Sequence, residues 1–150
     1  MSELRELYQE MVLDHNSKPR NFKEIEDATH TIEGFNPLCG DHITLSIKMR
    51  DGTIEDIGFK GSGCAISRAS ASMMTEQMEG KSKEEALELF ASFHGMVTGK
   101  SNGQMEEEDL GDLEVLGGIS EFPSRIKCAT LAWHTLRSAL GGKIEQVSTE

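Results

Sequence analysis

Hydrophobic positions change their spacing along the chain, and each change marks an element. Residues 2 to about 16 keep Leu4, Leu7 and Met11 on one stripe, with Ser2 as a cap and acidic residues in the first turns, which predicts a helix. Lys18-Pro19-Arg20-Asn21 ends it, because proline cannot continue the backbone ladder. Segments 29–35, 42–50 and 53–60 read as three short strands, the last two joined through Asp51-Gly52, a tight-hairpin signal. From Gly61 the period becomes helical. Gly61-Ser62-Gly63-Cys64 is a turn feeding a helix over about 64–79, with Ile66, Ala69 and Met73 on one side and Gly80 as its stop. Ser82 and Glu85 form a capping-box pattern that opens a helix to about Met96. Thr98 to Asp109 reads as an exposed, mobile loop, followed by a short helical piece around 110–117. Pro123 and Ser124 then start the clearest helix, where Ile126, Ala129, Trp133, Leu136 and Leu140 recur at helical spacing before Gly141-Gly142 and a polar tail. Strands first and helices afterwards predict an α+β fold, a three-stranded antiparallel sheet packed against about five helices. Residues 1–150 show neither an internal repeat nor a linker and are expected to form a single domain.

Composition narrows the partners. With 150 residues, 37% of them hydrophobic, the chain is long enough for a real core. Fifteen basic against 26 acidic residues give a formal net charge of −11. Such a surface repels phosphate backbones and anionic lipids, so neither nucleic acid nor membrane is an expected partner, whereas a protein with a basic face would be attracted. The acidic run Glu106-Glu107-Glu108-Asp109 is a solvated face or a steering element for such a partner. The first residues carry no apolar segment of the secretory type, which predicts a cytoplasmic protein.

In that compartment thiols stay reduced, so three cysteines read better as metal ligands or reactive thiols than as a disulfide. Asn36-Pro37-Leu38-Cys39-Gly40-Asp41 sets a thiol and a carboxylate two positions apart. In extended backbone both point to one side and His42 to the other. Sulfur and oxygen offered together suit zinc. Cys64 and Cys128 fall near predicted helix N-termini, where a thiolate is favoured, and with Cys39 and Asp41 they would complete a four-ligand Cys₃Asp set. The spacing matches no local zinc signature, and buried cysteines acting as small hydrophobes are the competing account. The glycines and polar residues flanking each cysteine favour the metal.

The other candidates divide similarly. His15, His30, His94 and His134 read as exposed or internally satisfied structural histidines, with His42 a minor alternative ligand. Arg125, one turn before Cys128, is either a hydrogen-bond partner for Asp41 or a surface arginine. Met73, Met74, Met78 and Trp133 read as core.

With its cysteines placed, the chain resembles the U-type iron–sulfur assembly proteins almost end to end. The resemblance rests on Leu7-Tyr8, Asp14-His15-Asn16, Pro19-Arg20-Asn21, the Asn36–Asp41 stretch, Gly61-Ser62-Gly63-Cys64-Ala65-Ile66-Ser67, Ala69-Ser70-Ala71-Ser72-Met73-Met74, Leu110-Gly111-Asp112 and Phe122-Pro123-Ser124-Arg125-Ile126-Lys127-Cys128-Ala129-Thr130-Leu131. It is nearer to the SufU branch than to the IscU scaffolds. Scaffolds carry a histidine where Lys127 stands, and the loop over about 97–115 corresponds to the SufU insertion. The resemblance implies a SufE/NifU-like fold and a zinc ion held by Cys39, Asp41, Cys64 and Cys128. It also implies a zinc-dependent sulfurtransferase that acts as second substrate of a PLP-dependent cysteine desulfurase of the SufS type and supplies downstream cluster-assembly proteins. In that family the cysteine matching Cys39 accepts the persulfide sulfur, and a histidine from the desulfurase takes its place on the zinc. The alternative is a scaffold on which a [2Fe–2S] cluster is assembled and passed on, since thiolates suit both centres.

Overall fold

The structure, a computed structural model, describes residues 2–36, 40–98, 116, 119, 123–141 and 147–148. Helix α1 (Ser2–Ser17) leads into strands β1 (His30–Asn36), β2 (Asp41–Arg50) and β3 (Thr53–Ser62), followed by α2 (Ala65–Met78), α3 (Lys83–Thr98), α4 (Pro123–Leu140) and the two-residue β4 (Val147–Ser148). The sheet order is β3-β2-β1-β4. β1, β2 and β3 are antiparallel, as the alternation predicts, and Asp51 and Gly52 both adopt positive φ, the geometry of the tight turn their sequence signals. β4 differs from the expected polar tail. Val147 and Ser148 pair in parallel with Gly34 and Phe35, a backbone interaction that needs no apolar pattern and so leaves no trace in one. Four helices stand among the described residues, against about five expected. The piece around 110–117 lies outside the described residues except for Leu116, a fully buried 3₁₀ residue, and the acidic loop from 99 to 115 lies outside them too.

Local chemistry explains the joints. Ser82 Oγ accepts the Glu85 N–H at 3.1 Å while Glu85 Oε1 accepts the Ser82 N–H at 3.0 Å, closing the capping box that starts α3. Helix α4 lies across β1, and the contact is close because residue 34 is glycine. A Cβ there would run into Thr135 Oγ1 and sit 3.2 Å from Leu131 Cδ1. Beneath the helices Leu45, Ile47, Ile54, Ile57, Phe59, Met74, Met78 and Trp133 are fully buried, so the methionines and Trp133 are core as read.

Helix α1 is fastened to α2 by a polar contact. Ser72 Oγ accepts the Arg20 backbone N–H at 2.8 Å, so its own hydrogen is free for His15 Nδ1 at 2.7 Å. That leaves the His15 proton on Nε2, 3.6 Å from Glu76 Oε1. His15 is therefore a satisfied structural histidine.

His94 on α3 and His134 on α4 meet with ring centroids 5.3 Å apart, both against Phe90, over which Arg137 also lies. Burial, then the nearby His94 and Arg137, push His134 down to about 4. Its folded value is thus below that of a free histidine, so the unfolded chain binds the extra proton first as pH falls. Stability is expected to decline between about pH 6.5 and 4. Urea titrations across that range check this, and His134→Phe should flatten the slope.

Candidate metal centre

Three of the four expected ligands converge at one end of the sheet. Asp41 opens β2, opposite Asn36 at the end of β1. Cys64 caps the N-terminus of α2, and Cys128 lies on α4. One ligand atom from each of Asp41, Cys64 and Cys128 lies within 4.8 Å of the others. Cys39 lies outside the described residues, as does its orientation. The neighbouring Gly40 is described and sits at φ +71°, a turn conformation. The strand argument that put Cys39 and Asp41 on one side requires extended backbone at residue 40 and does not hold there.

The positions of the two thiols differ from expectation in one respect. Cys64 is an N-cap, its Sγ 3.4 Å from the Ser67 backbone N–H. Cys128 is five residues into α4, in the second turn, where its N–H belongs to the helical ladder and the dipole argument does not reach it. Helix α4 begins at Pro123 because proline's fixed φ and missing N–H suit the first helical position. A hydrogen bond from the Cys128 thiol, joined by the Ser67 N–H, outweighs burial and the Asp41 charge and lowers Cys64 to about 7. Near that value a thiol is readily available as thiolate, the form that binds metal. Neither Cys64 nor Cys128 is in a disulfide among the described residues. Cys128 and Asp41 are buried and Cys64 half-buried, so the cluster meets the surface on the α2 side.

Asp41 is held from two directions. Oδ1 accepts the Cys64 backbone N–H at 2.8 Å, and Oδ2 lies 3.9 Å from Cys64 Sγ. The fully buried Asn36 stands behind both acidic groups, its Nδ2 3.5 Å from Asp41 Oδ2 and 3.8 Å from Cys128 Sγ. Gly63 makes room, since a Cβ there would be 2.5 Å from Asp41 Oδ1. Neither role was evident in the sequence. Asn36 read only as the start of the stretch that carries Cys39 and Asp41, and Gly63 as part of the turn feeding α2.

His42 does point away, as alternation requires. Its ring stacks on Phe35 at 4.6 Å, and its Nε2 is 3.5 Å from Glu33 Oε1 without hydrogen-bond alignment. Arg125 is exposed and Lys127 half-buried on α4. His30 Nδ1 is 2.8 Å from Thr29 Oγ1, far from ligand duty.

The donor set fits zinc. A tetrahedral zinc with bonds of about 2.0–2.3 Å holds its donors roughly 3.5–3.8 Å apart, a small contraction from the spacing here. Two thiolates and a carboxylate match its preference, and the same thiolates suit iron–sulfur clusters. Among the described residues no helix is long and apolar enough to cross a membrane.

Known proteins similar to this chain share its fold and most of its length. A scaffold protein for iron–sulfur cluster assembly, IscU of Streptococcus pyogenes serotype M1, is 46% identical over 140 residues, covering 93% of this chain and 86% of its own. The zinc-dependent sulfurtransferase SufU of Bacillus subtilis is 44% identical over 134 residues, covering 89% of each. The crystal structure of FiSufU, described as a candidate SUF-system scaffold from Fervidobacterium islandicum AW-1, superposes with a TM-score of 0.83 at 38% identity, covering 89% of this chain and 96% of that one. The family model of the NifU-like N-terminal domain matches residues 7–129, and the chain belongs to that family, the IscU and SufU group of iron–sulfur cluster assembly proteins.

Proposed function

We infer that the chain is a zinc-dependent sulfur carrier that accepts sulfur from a PLP-dependent cysteine desulfurase of the SufS type. The observation that carries this reading is the meeting of Asp41, Cys64 and Cys128 within 4.8 Å. Asp41, Cys64 and Cys128 would hold zinc with Cys39 as the fourth ligand. Zinc supplies charge that keeps the thiols deprotonated at neutral pH.

The transfer itself needs only thiol chemistry. The Cys39 thiolate attacks the outer sulfur of the desulfurase persulfide. A new S–S bond forms on Cys39, the old one breaks, and the desulfurase cysteine leaves as thiolate. Cys39 is the thiol suited to this, since Cys64 is tied into a helix cap and Cys128 into a helix body.

A second reading is a [2Fe–2S] scaffold, favoured by the 46% identity to a protein named as one. Lys127 weighs against it, because an ammonium beside Cys128 offers a cluster no neutral nitrogen ligand. Metal content of protein purified without added iron separates the two. About one zinc per chain, no visible absorbance and stimulation of the desulfurase are expected for the carrier. A brown protein with iron and labile sulfide would give the scaffold first place.

A further inference from the structure

Four basic side chains on this acidic molecule, Arg20, Lys23, Lys48 and Arg50, are paired with acids. Arg20 lies 2.6 Å from Asp14, Lys48 2.7 Å from Asp27, and Lys23 3.1 Å from Asp56. On the strand and helix that flank Cys64, two other cations meet one aromatic ring. Lys60, exposed near the end of β3, holds its Nζ 4.4 Å from the centroid of the Phe22 ring, and the Arg68 guanidinium carbon lies 5.4 Å from the same centroid. Among the described residues neither cation has a carboxylate within ion-pair distance. Arg68 Nε is shielded from solvent and makes no hydrogen bond, so no internal acceptor holds that donor. Phe22 is fixed in turn by edge-on packing against Phe59 at 5.2 Å.

Two like charges brought to one ring repel each other, and an anion that reached both would relieve the arrangement. Its place matters as well. Arg68 is one helical turn beyond Cys64, its N–H bonded to the Cys64 carbonyl. Lys60 pairs with Thr44, three residues from Asp41 and roughly 10 Å along the strand. Both cations thus belong to the elements that lead into and out of Cys64, the end of the sheet a persulfide donor would approach. With 26 acids against 15 basic residues in the chain, a positive pair here is a local inversion of the overall field.

We propose that Lys60 and Arg68, held over Phe22 beside Cys64, seat an acidic side chain of the protein that delivers sulfur to the site. The inference rests on the sulfur-carrier reading and adds a contact to it. The carboxylate accepts charge-assisted hydrogen bonds from both, which fixes the angle at which the donor docks. The excess negative charge elsewhere steers the donor's basic regions, while this pair supplies register.

The test is calorimetric titration of the zinc-loaded chain with a SufS-type desulfurase, at low and high salt. In Lys60→Gln/Arg68→Gln the dissociation constant is expected to rise about tenfold with a weaker salt dependence. Zinc content, and sulfur accepted at saturating protein, should stay at the unaltered level. Lys60→Gln alone, at an exposed position, should show part of the rise without any question of folding, and Lys83→Gln on α3 controls for net charge. A rise under threefold in the double variant, or an equal rise in the control, overturns the proposal. If the unaltered chain neither binds the desulfurase nor accepts its sulfur, the carrier reading fails and takes this contact with it.

Discussion

Cys39→Ala is expected to bind the desulfurase and accept no sulfur. The rate of persulfide formation on the chain should fall by roughly a hundredfold or more, the scale seen when a nucleophile is removed. Mass spectrometry of the carrier after a single turnover of the desulfurase reads this directly, as presence or absence of one added sulfur. The reason lies in the backbone around each thiol. Cys64 cannot advance toward a partner without surrendering its bond from the Ser67 N–H, and Cys128 is buried within α4. Gly40, next in sequence to Cys39, is exposed, and a Cβ built on it would meet no atom within 4 Å, so residue 40 itself borders open space. If the variant still gained sulfur at the unaltered rate, the acceptor would be the half-buried Cys64, and the roles given to the two thiols would have to be exchanged.

The largest loss of stability is expected from Trp133→Ala. Trp133 is fully buried and stacks on Phe93 with ring centroids 4.1 Å apart and planes 9° from parallel. Its Nε1–H donates to Ser70 Oγ at 3.0 Å, and Ser70 in turn donates to the Ala129 carbonyl at 2.6 Å. Truncation removes the stack, opens a cavity and releases one end of this chain of bonds, at a cost of about 3–5 kcal/mol. Against the about 5–15 kcal/mol by which a domain of this size is stable, that is a large share, and the denaturant midpoint should fall markedly. Trp133→Phe retains most of the packing and loses the donor, a change of about 1 kcal/mol. Denaturant midpoints of the two variants, measured on metal-free protein, distinguish packing from hydrogen bonding. Near-equal midpoints would show that the indole N–H, and not the ring volume, dominates. Because Trp133 and Cys128 share α4, the alanine variant should also hold zinc less firmly.

Much of this was legible from spacing. Strand alternation placed β1, β2 and β3 within a residue or two of their ends, and the Asp51-Gly52 turn and the Ser82–Glu85 box declared themselves through chemistry specific to them. Asp41, Cys64 and Cys128 were recognised by donor type and by the resemblance, since nothing in gaps of that length shows that three elements meet. Other features could not be read. Asn36 works through a side chain directed at two candidate ligands, Asp41 and Cys128, from separate parts of the chain, a relation invisible before the fold exists. Gly63 is required by the approach of Asp41, and Gly34 by that of α4, which are tertiary demands. Pro123 was read as the start of α4, as the structure has it, and the thiolate argument for Cys128 failed because that start already puts Cys128 in the second turn. Pairing of β4 with β1 uses backbone groups alone.

The bond from the Cys64 N–H to Asp41 Oδ1 divides the carboxylate into two halves with different duties. One oxygen belongs to the protein, and Oδ2 is the one left facing the thiols. A cation gripped by Oδ2 can therefore leave without its aspartate swinging loose, because the first oxygen stays moored to the cap of α2. Binding and release then involve little reorganisation of the ligand frame, as in a socket whose shape is set before the plug arrives. The positions of Asp41 and Cys64 should accordingly be nearly the same in loaded and empty protein, leaving the motion of exchange to the turn at Gly40.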